Sequence, residues 1–140
     1  MQKQKVVIIT DSVCKSRVGS FASVLFHKGK TETNTRLVQG KSEDVTNQRA
    51  SLLGVVETLS VIKYPCEVVI KTDSDYVVKG VNLHITSWKK NGWKRSDGKD
   101  IANLDLWQKL DSLATTHSVT AIKVKTPDRL VQLANEVLSS

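Results

Sequence analysis

Two short runs of branched apolar residues each end in the same pair: KVVII at 5–9 leads into Thr10-Asp11, and EVVIKT at 67–72 leads into Asp73. A near-continuous apolar run of this length suits a strand buried on both faces of a sheet, which requires helices above and below it. Two such strands side by side would carry Asp11 and Asp73 to one carboxyl rim, where open α/β sheets bind their ligands. Isolated aspartates at strand ends also cap loops, so the pair alone leaves both readings open.

The segments between these runs extend the α/β reading. Residues 20–27 (SFASVLFH) and 32–39 (ETNTRLVQ) alternate as strands around a tight turn at Lys28-Gly29-Lys30. From Thr46 the apolar period changes to that of a helix, with Leu52, Leu53, Val55, Val56 and Leu59 on its stripe and Pro65 beyond its end. A helical stretch follows from Ser74, expected to break near Gly80 and resume to Trp88. A basic loop runs to Gly98, a helix covers 104–113, a strand 119–125, and a last helix 128–138 has Pro127 at its first turn. With no repeat or linker, residues 1–140 read as a single domain, expected to be a monomer.

The longest apolar runs, VVII and LLGVV, are far shorter than the ~20 residues a bilayer crossing needs. The start, MQKQK followed by four apolar residues, lacks the features of a secretory signal. An intracellular, cytoplasmic protein without a membrane partner is expected. Cys14 and Cys66 form no metal or disulfide pattern, and His27, His84 and His117 are too scattered for a zinc site. Both cysteines read as reduced small hydrophobes.

The chain carries a formal charge of +7, and its distribution says more than its size. Within WKKNGWKRSDGK (88–99), Lys89, Lys90, Lys94, Arg95 and Lys99 oppose Asp97 alone, a surplus of four. Trp88 and Trp93 interleave with these cations. Planar aromatics pack on sugars and bases while lysines neutralise phosphates, so the segment suits nucleic acid. Alternatively, it is a solvated loop whose tryptophans plug the core beneath.

Together VVIITDS (6–12), TNQRAS (46–51), KTDSDYVVKG (71–80), ITSWKKNGWK (85–94) and IANLDLW (101–107) resemble the type I ribonuclease H family in order and spacing. The resemblance implies a ribonuclease H-like α/β fold, a five-stranded mixed sheet in order 3-2-1-4-5 with helices on both faces. It also implies that Cys14 and Cys66 lie at opposite ends of adjacent parallel strands. Members of the family cleave the RNA strand of RNA/DNA hybrids with two Mg²⁺ held by four carboxylates. Two divalent ions bring four positive charges, which hard oxygen ligands must hold and offset.

Here the implied set is incomplete. Asp11 and Asp73 match the first and third carboxylates, Ser51 stands at the second and Val131 at the fourth. Two carboxylates balance one divalent ion, so Mg²⁺ or Mn²⁺, if held at all, would be held weakly by Asp11 and Asp73. Asp128, one turn before Val131, is the candidate replacement ligand, although a first-turn acid also suits the helix dipole. Glu57 lies on another face of the Ser51 helix.

The implied binding residues are better kept. Thr46, Asn47 and Gln48 match a helix start that grips a DNA-strand phosphate, with Asn103 beside it, while Thr46 or Asn47 would serve equally as a helix cap. Trp88, Lys89, Lys90, Trp93 and Lys94 match the family's basic protrusion, and Trp107 reads as core. The family's glycine-rich first loop is replaced by residues 11–19, which keep only Gly19 and add Lys15 and Arg17. Three functions follow as expectations: a nucleic-acid-binding protein for hybrid or other duplex without standard two-metal catalysis, an active or residual hybrid endoribonuclease, and an inactive scaffold for protein contacts.

Overall fold

The computed structural model describes residues 4–28 and 33–139. Three strands, β1 (Gln4–Lys15), β2 (Val18–Lys28) and β3 (Thr33–Ser42), precede helix α1 (Asn47–Ser60) and strand β4 (Cys66–Thr72). Helix α2 (Asp75–Lys79) passes through a π turn (Gly80–His84) into α3 (Ile85–Lys90), and α4 (Leu104–Thr116), β5 (Ser118–Lys123) and α5 (Asp128–Ser139) follow. The sheet order is β3-β2-β1-β4-β5, as expected. The first three strands are antiparallel, and β1, β4 and β5 are parallel. Gly29 and Lys30 of the expected turn lie outside the described residues, but Lys28 and Thr33 pair across it.

One face of the sheet builds the main core, where Val6, Ile8, Val68 and Ile70 meet Leu52, Val55, Val56 and Leu59 of α1 and Trp107 and Leu110 of α4. On the other face α5 sets Leu130 and Ala134 against Ala22, with Ile9, Val13 and Val24 around them. The placement of Trp107 explains Gly80: a Cβ there would overlap the indole ring, so only glycine lets the helix back approach so closely. Trp107 is fully buried, as the sequence suggested.

Three expectations are corrected. First, β1 does not stop at Asp11 but runs to Lys15; beyond Ile9 it has lost β4 and pairs with β2 alone. Residues 11–19 are therefore no open loop. They form a hairpin with a tight turn at Ser16 and Arg17, whose φ angles of 50° and 62° have the left-handed sign that matches strand twist. Arg17 is held at the tip by Asp44 at 2.9 Å, and its carbonyl accepts from Val45 N–H. Second, the helix does not break at Gly80 but widens into the π turn. There Asn82 donates from Nδ2 to Ala121 O at 2.8 Å and accepts from Ala121 N–H at 3.0 Å, pairing with the backbone of edge strand β5. Third, β5 ends at Lys123, although Val124 N–H still donates to Thr72 O at 2.9 Å.

The parallel register sets Gln4 opposite Cys66, with Cys14 ten residues further along β1. At about 3.3 Å per residue the cysteines are roughly 30 Å apart, and neither is in a disulfide. Among the described residues no helix is long and apolar enough to cross a membrane.

Candidate functional site

Asp11 sits where β1 parts from β4, and Asp73 follows directly on the end of β4. Asp11 is buried while Asp73 is exposed. Burial raises the Asp11 carboxyl above its usual range, and the charge of Asp73 raises it further. The Thr126 hydroxyl and the Ser12 backbone pull the other way. Thr126 is buried and its hydroxyl makes no hydrogen bond of full geometry among the described residues, so burial and Asp73 prevail.

Ser51, on the first turns of α1, meets β1 across this rim. Its hydroxyl donates to Asn47 O at 3.1 Å and lies 2.7 Å from the Ser12 hydroxyl. A hydroxyl has one proton to give, so Ser12 is the donor to Ser51, and the two form a neutral bridge from sheet to helix. Val131 is half-buried on α5, with its carbonyl accepting from Asn135 at 3.0 Å. Asp128 and Glu57 are exposed. A polar cavity of about 250 Å³ opens between Ser12, Asn47, Gln48, Ser51, Asp73 and Ser74.

These groups do not fit a pair of divalent ions. Among the described residues no three Asp, Glu, His or Cys side chains gather as a metal-binding group. The rim offers two carboxylates against four positive charges, and the hydroxyls of Ser12 and Ser51 are already bonded to each other.

The neighbouring surface is connected throughout. Thr46 caps α1, its hydroxyl accepting from Arg49 N–H at 3.1 Å, while Asn47 and Gln48 stand exposed on the first turn. Arg49 clamps Asp105 through both terminal nitrogens, at 2.9 and 2.7 Å, and donates to Asn103 Oδ1 at 3.2 Å. Asn103, left-handed at φ 58°, donates to the Tyr76 hydroxyl at 2.9 Å, as does Trp107 Nε1. With both its lone pairs engaged, the Tyr76 hydroxyl must direct its own proton elsewhere. The Arg49 hydrogen bonds hold Asp105 below the usual carboxylate range.

Arg49 and Tyr76 were not singled out in the sequence, although both lie within family-like segments. Their signal is weak because their partners are 56 and 27–31 residues away.

The protrusion carries less free charge than its composition suggests. Lys89 pairs with Asp111 at 3.2 Å, Lys94 with Asp100 at 2.7 Å and Arg95 with Asp97 at 3.0 Å. Lys90 and Lys99 have no acidic partner among the described residues. The pairs are largely exposed, and such pairs contribute only ~0–1 kcal/mol, so a phosphate can displace the acid. Trp88 stacks on His84 with ring centroids 5.4 Å apart and meets Trp107 edge-on at 5.5 Å. Trp88 and Trp93 are both half-buried against the core, so they anchor the protrusion and leave only part of each ring to a ligand.

The RNase H family profile matches residues 3–135. A ribonuclease H of Francisella philomiragia is 38% identical over 126 residues, covering 89% of this chain and 80% of that protein. One from Francisella tularensis subsp. novicida is 37% identical over 121 residues, covering 85% and 77%. Among solved structures, LC9-RNase H1, described as a type 1 RNase H with the type 2 active-site motif, superposes with a TM-score of 0.80 at 25% identity. That match covers 98% of this chain and 71% of LC9-RNase H1. The shared strand order, the two aspartates at its rim and a match over nearly the whole chain lead to one conclusion: this protein belongs to the ribonuclease H family.

Proposed function

We propose that this protein binds RNA/DNA hybrid, or a duplex of similar shape, and lacks standard two-metal catalysis. The observation that carries the reading is the hydroxyl bridge between Ser12 and Ser51, a neutral closed contact where the family resemblance calls for a carboxylate. Backbone N–H groups at the start of α1, with Thr46, Asn47, Gln48 and Asn103, supply donors for a phosphate of the DNA strand. Lys90 and Lys99 engage further phosphates, Lys89 and Lys94 follow by exchanging partners, and the exposed edges of Trp88 and Trp93 pack on sugar. The two free cysteines suit a reducing compartment, and the reading is of a cytoplasmic monomer.

A labelled RNA/DNA hybrid, incubated in Mg²⁺ and in Mn²⁺, tests the proposal when cleavage and retention are measured together. Expected are retention that weakens steeply with salt and no cleavage above that of an Asp11→Asn/Asp73→Asn variant. Cleavage abolished by that double substitution would overturn it in favour of a residual endoribonuclease. The exposed polar cavity beside Asp73 favours that second reading, because it leaves room for one ion and a scissile phosphate. Absence of any nucleic-acid affinity at low salt would leave the scaffold.

A further inference from the structure

A second cavity lies at the opposite end of the sheet. It has a volume of about 460 Å³ and opens where α1 ends at Ser60 while β2 and β3 continue beneath it. Its walls are the apolar side chains of Val6, Leu25, Val61 and Ile62. The strand register sets Leu25 opposite Arg36 and Val6 opposite His27, which brings a guanidinium and an imidazole to the apolar wall. Among the described residues no Asp or Glu lines the cavity, and Arg36 has no ion pair. From Val6 to Asp11 is five residues of strand, roughly 17 Å, so this cavity is separate from the carboxylate rim.

We infer that this cavity is a binding site for a small apolar carboxylate. The volume is within the usual range for small-ligand sites, about 300–1,000 Å³, and Arg36 and His27 line it beside the apolar side chains, with Gln4 and Tyr64 as its other polar groups. A guanidinium presents a planar fork that matches a carboxylate in a bidentate manner, and it cannot lose its charge. The ligand lays its apolar body between Leu25 and Ile62 and its carboxylate on Arg36, with His27 beside the second oxygen. A neutral ligand of the same shape forfeits the charged contact. A dianion finds one fixed cation, Arg36, among the described residues.

Titration of the ¹⁵N-labelled protein with 4-phenylbutyrate, followed by amide chemical shifts, tests this inference. Saturating shifts at His27, Arg36 and Ile62 are expected, with a Kd on the order of 1 mM for so small a ligand. The neutral 4-phenylbutanamide should bind about tenfold more weakly, a factor typical of a charged hydrogen bond. Arg36→Gln should erase that preference, and Ile62→Trp, which fills the cavity, should weaken both ligands. The same spectra show whether each variant is folded. Hybrid retention should be unchanged in Arg36→Gln, which separates this site from the proposed nucleic-acid surface. No saturable shift below about 10 mM, equal binding of acid and amide, or an acid preference that survives Arg36→Gln would overturn the inference.

Discussion

The carboxylate rim and the surface beside it are built from the same sheet end but on different terms. On the surface, Arg49, Asn103, Asp105, Tyr76 and Trp107 join α1, α2 and α4 in one connected set of hydrogen bonds. On the rim, burial and the charge of Asp73 both raise the Asp11 carboxyl, and the Thr126 hydroxyl and Ser12 backbone offset them only in part, while Ser12 and Ser51 form a neutral bridge. The comparison teaches that binding geometry can be held by contacts that satisfy each other. A metal pair would instead depend on a charge count, which two carboxylates alone do not meet.

The largest effect should come from erasing the difference. Ser51→Glu with Val131→Asp restores four acids to the rim, and RNA-strand cleavage in Mg²⁺ should rise at least about a hundredfold, since metal stabilisation of a phosphoryl transition state is worth several kcal/mol. Continued silence with hybrid still retained would show that the hairpin of residues 11–19 keeps substrate from the rim.

Next comes damage to the connected surface from beneath. Gly80→Ala forces a methyl group against Trp107, and overpacking of this kind costs about 1–3 kcal/mol. The denaturant midpoint should fall, and retention of hybrid should fall with it because Trp107 holds the Tyr76 hydroxyl. Unchanged retention would detach the hydrogen-bonded set from binding.

The protrusion offers a finer test. Lys90→Ala should lower the slope of log affinity against log salt by about one phosphate's worth. Lys94→Ala should change it less, because Asp100 already occupies that cation in the free protein. Equal effects would mean that the ion pair opens at no cost on binding.

The smallest effect concerns stability. The folded-state value for Asp11 is raised, so the native protein binds this proton more readily than the unfolded chain does. The stability it confers is present at acid pH and declines as pH rises from the ordinary carboxylate value through the raised one. Asp11→Asn should therefore raise the Tm at neutral pH, by a free energy on the order of 1 kcal/mol, and remove this decline. Asp75, Asp100 and Asp105 act in the opposite sense: cation partners lower them, so their contribution is lost as pH falls. A Tm of Asp11→Asn that does not exceed that of the parent at neutral pH would deny the burden on the rim.

The position of both aspartates at strand ends was legible because buried parallel strands leave an unbroken apolar run, whereas the strand order came only with the family resemblance. The length of β1 was not legible, since Ser12, Cys14 and Lys15 pair with β2 alone and carry no apolar pattern. Ser16 and Arg17 hid the hairpin turn, for neither is the glycine or asparagine that such a turn usually shows. At the site, Ser51 and Val131 could be read as missing acids, but the Ser12 bridge depends on a pairing 39 residues apart. The cations of the protrusion could be counted, whereas their partners Asp100 and Asp111 lie outside the counted segment.

Asn82 bears on a matter remote from any ligand. An open sheet has two outer strands, and each exposes a row of unsatisfied backbone groups on which another chain can build. The side-chain amide of Asn82 presents to β5 the donor and acceptor that an added strand would present, and occupies the middle of that edge. The widened turn that places it thereby closes one of the sheet's two growing ends with a residue of the chain's own.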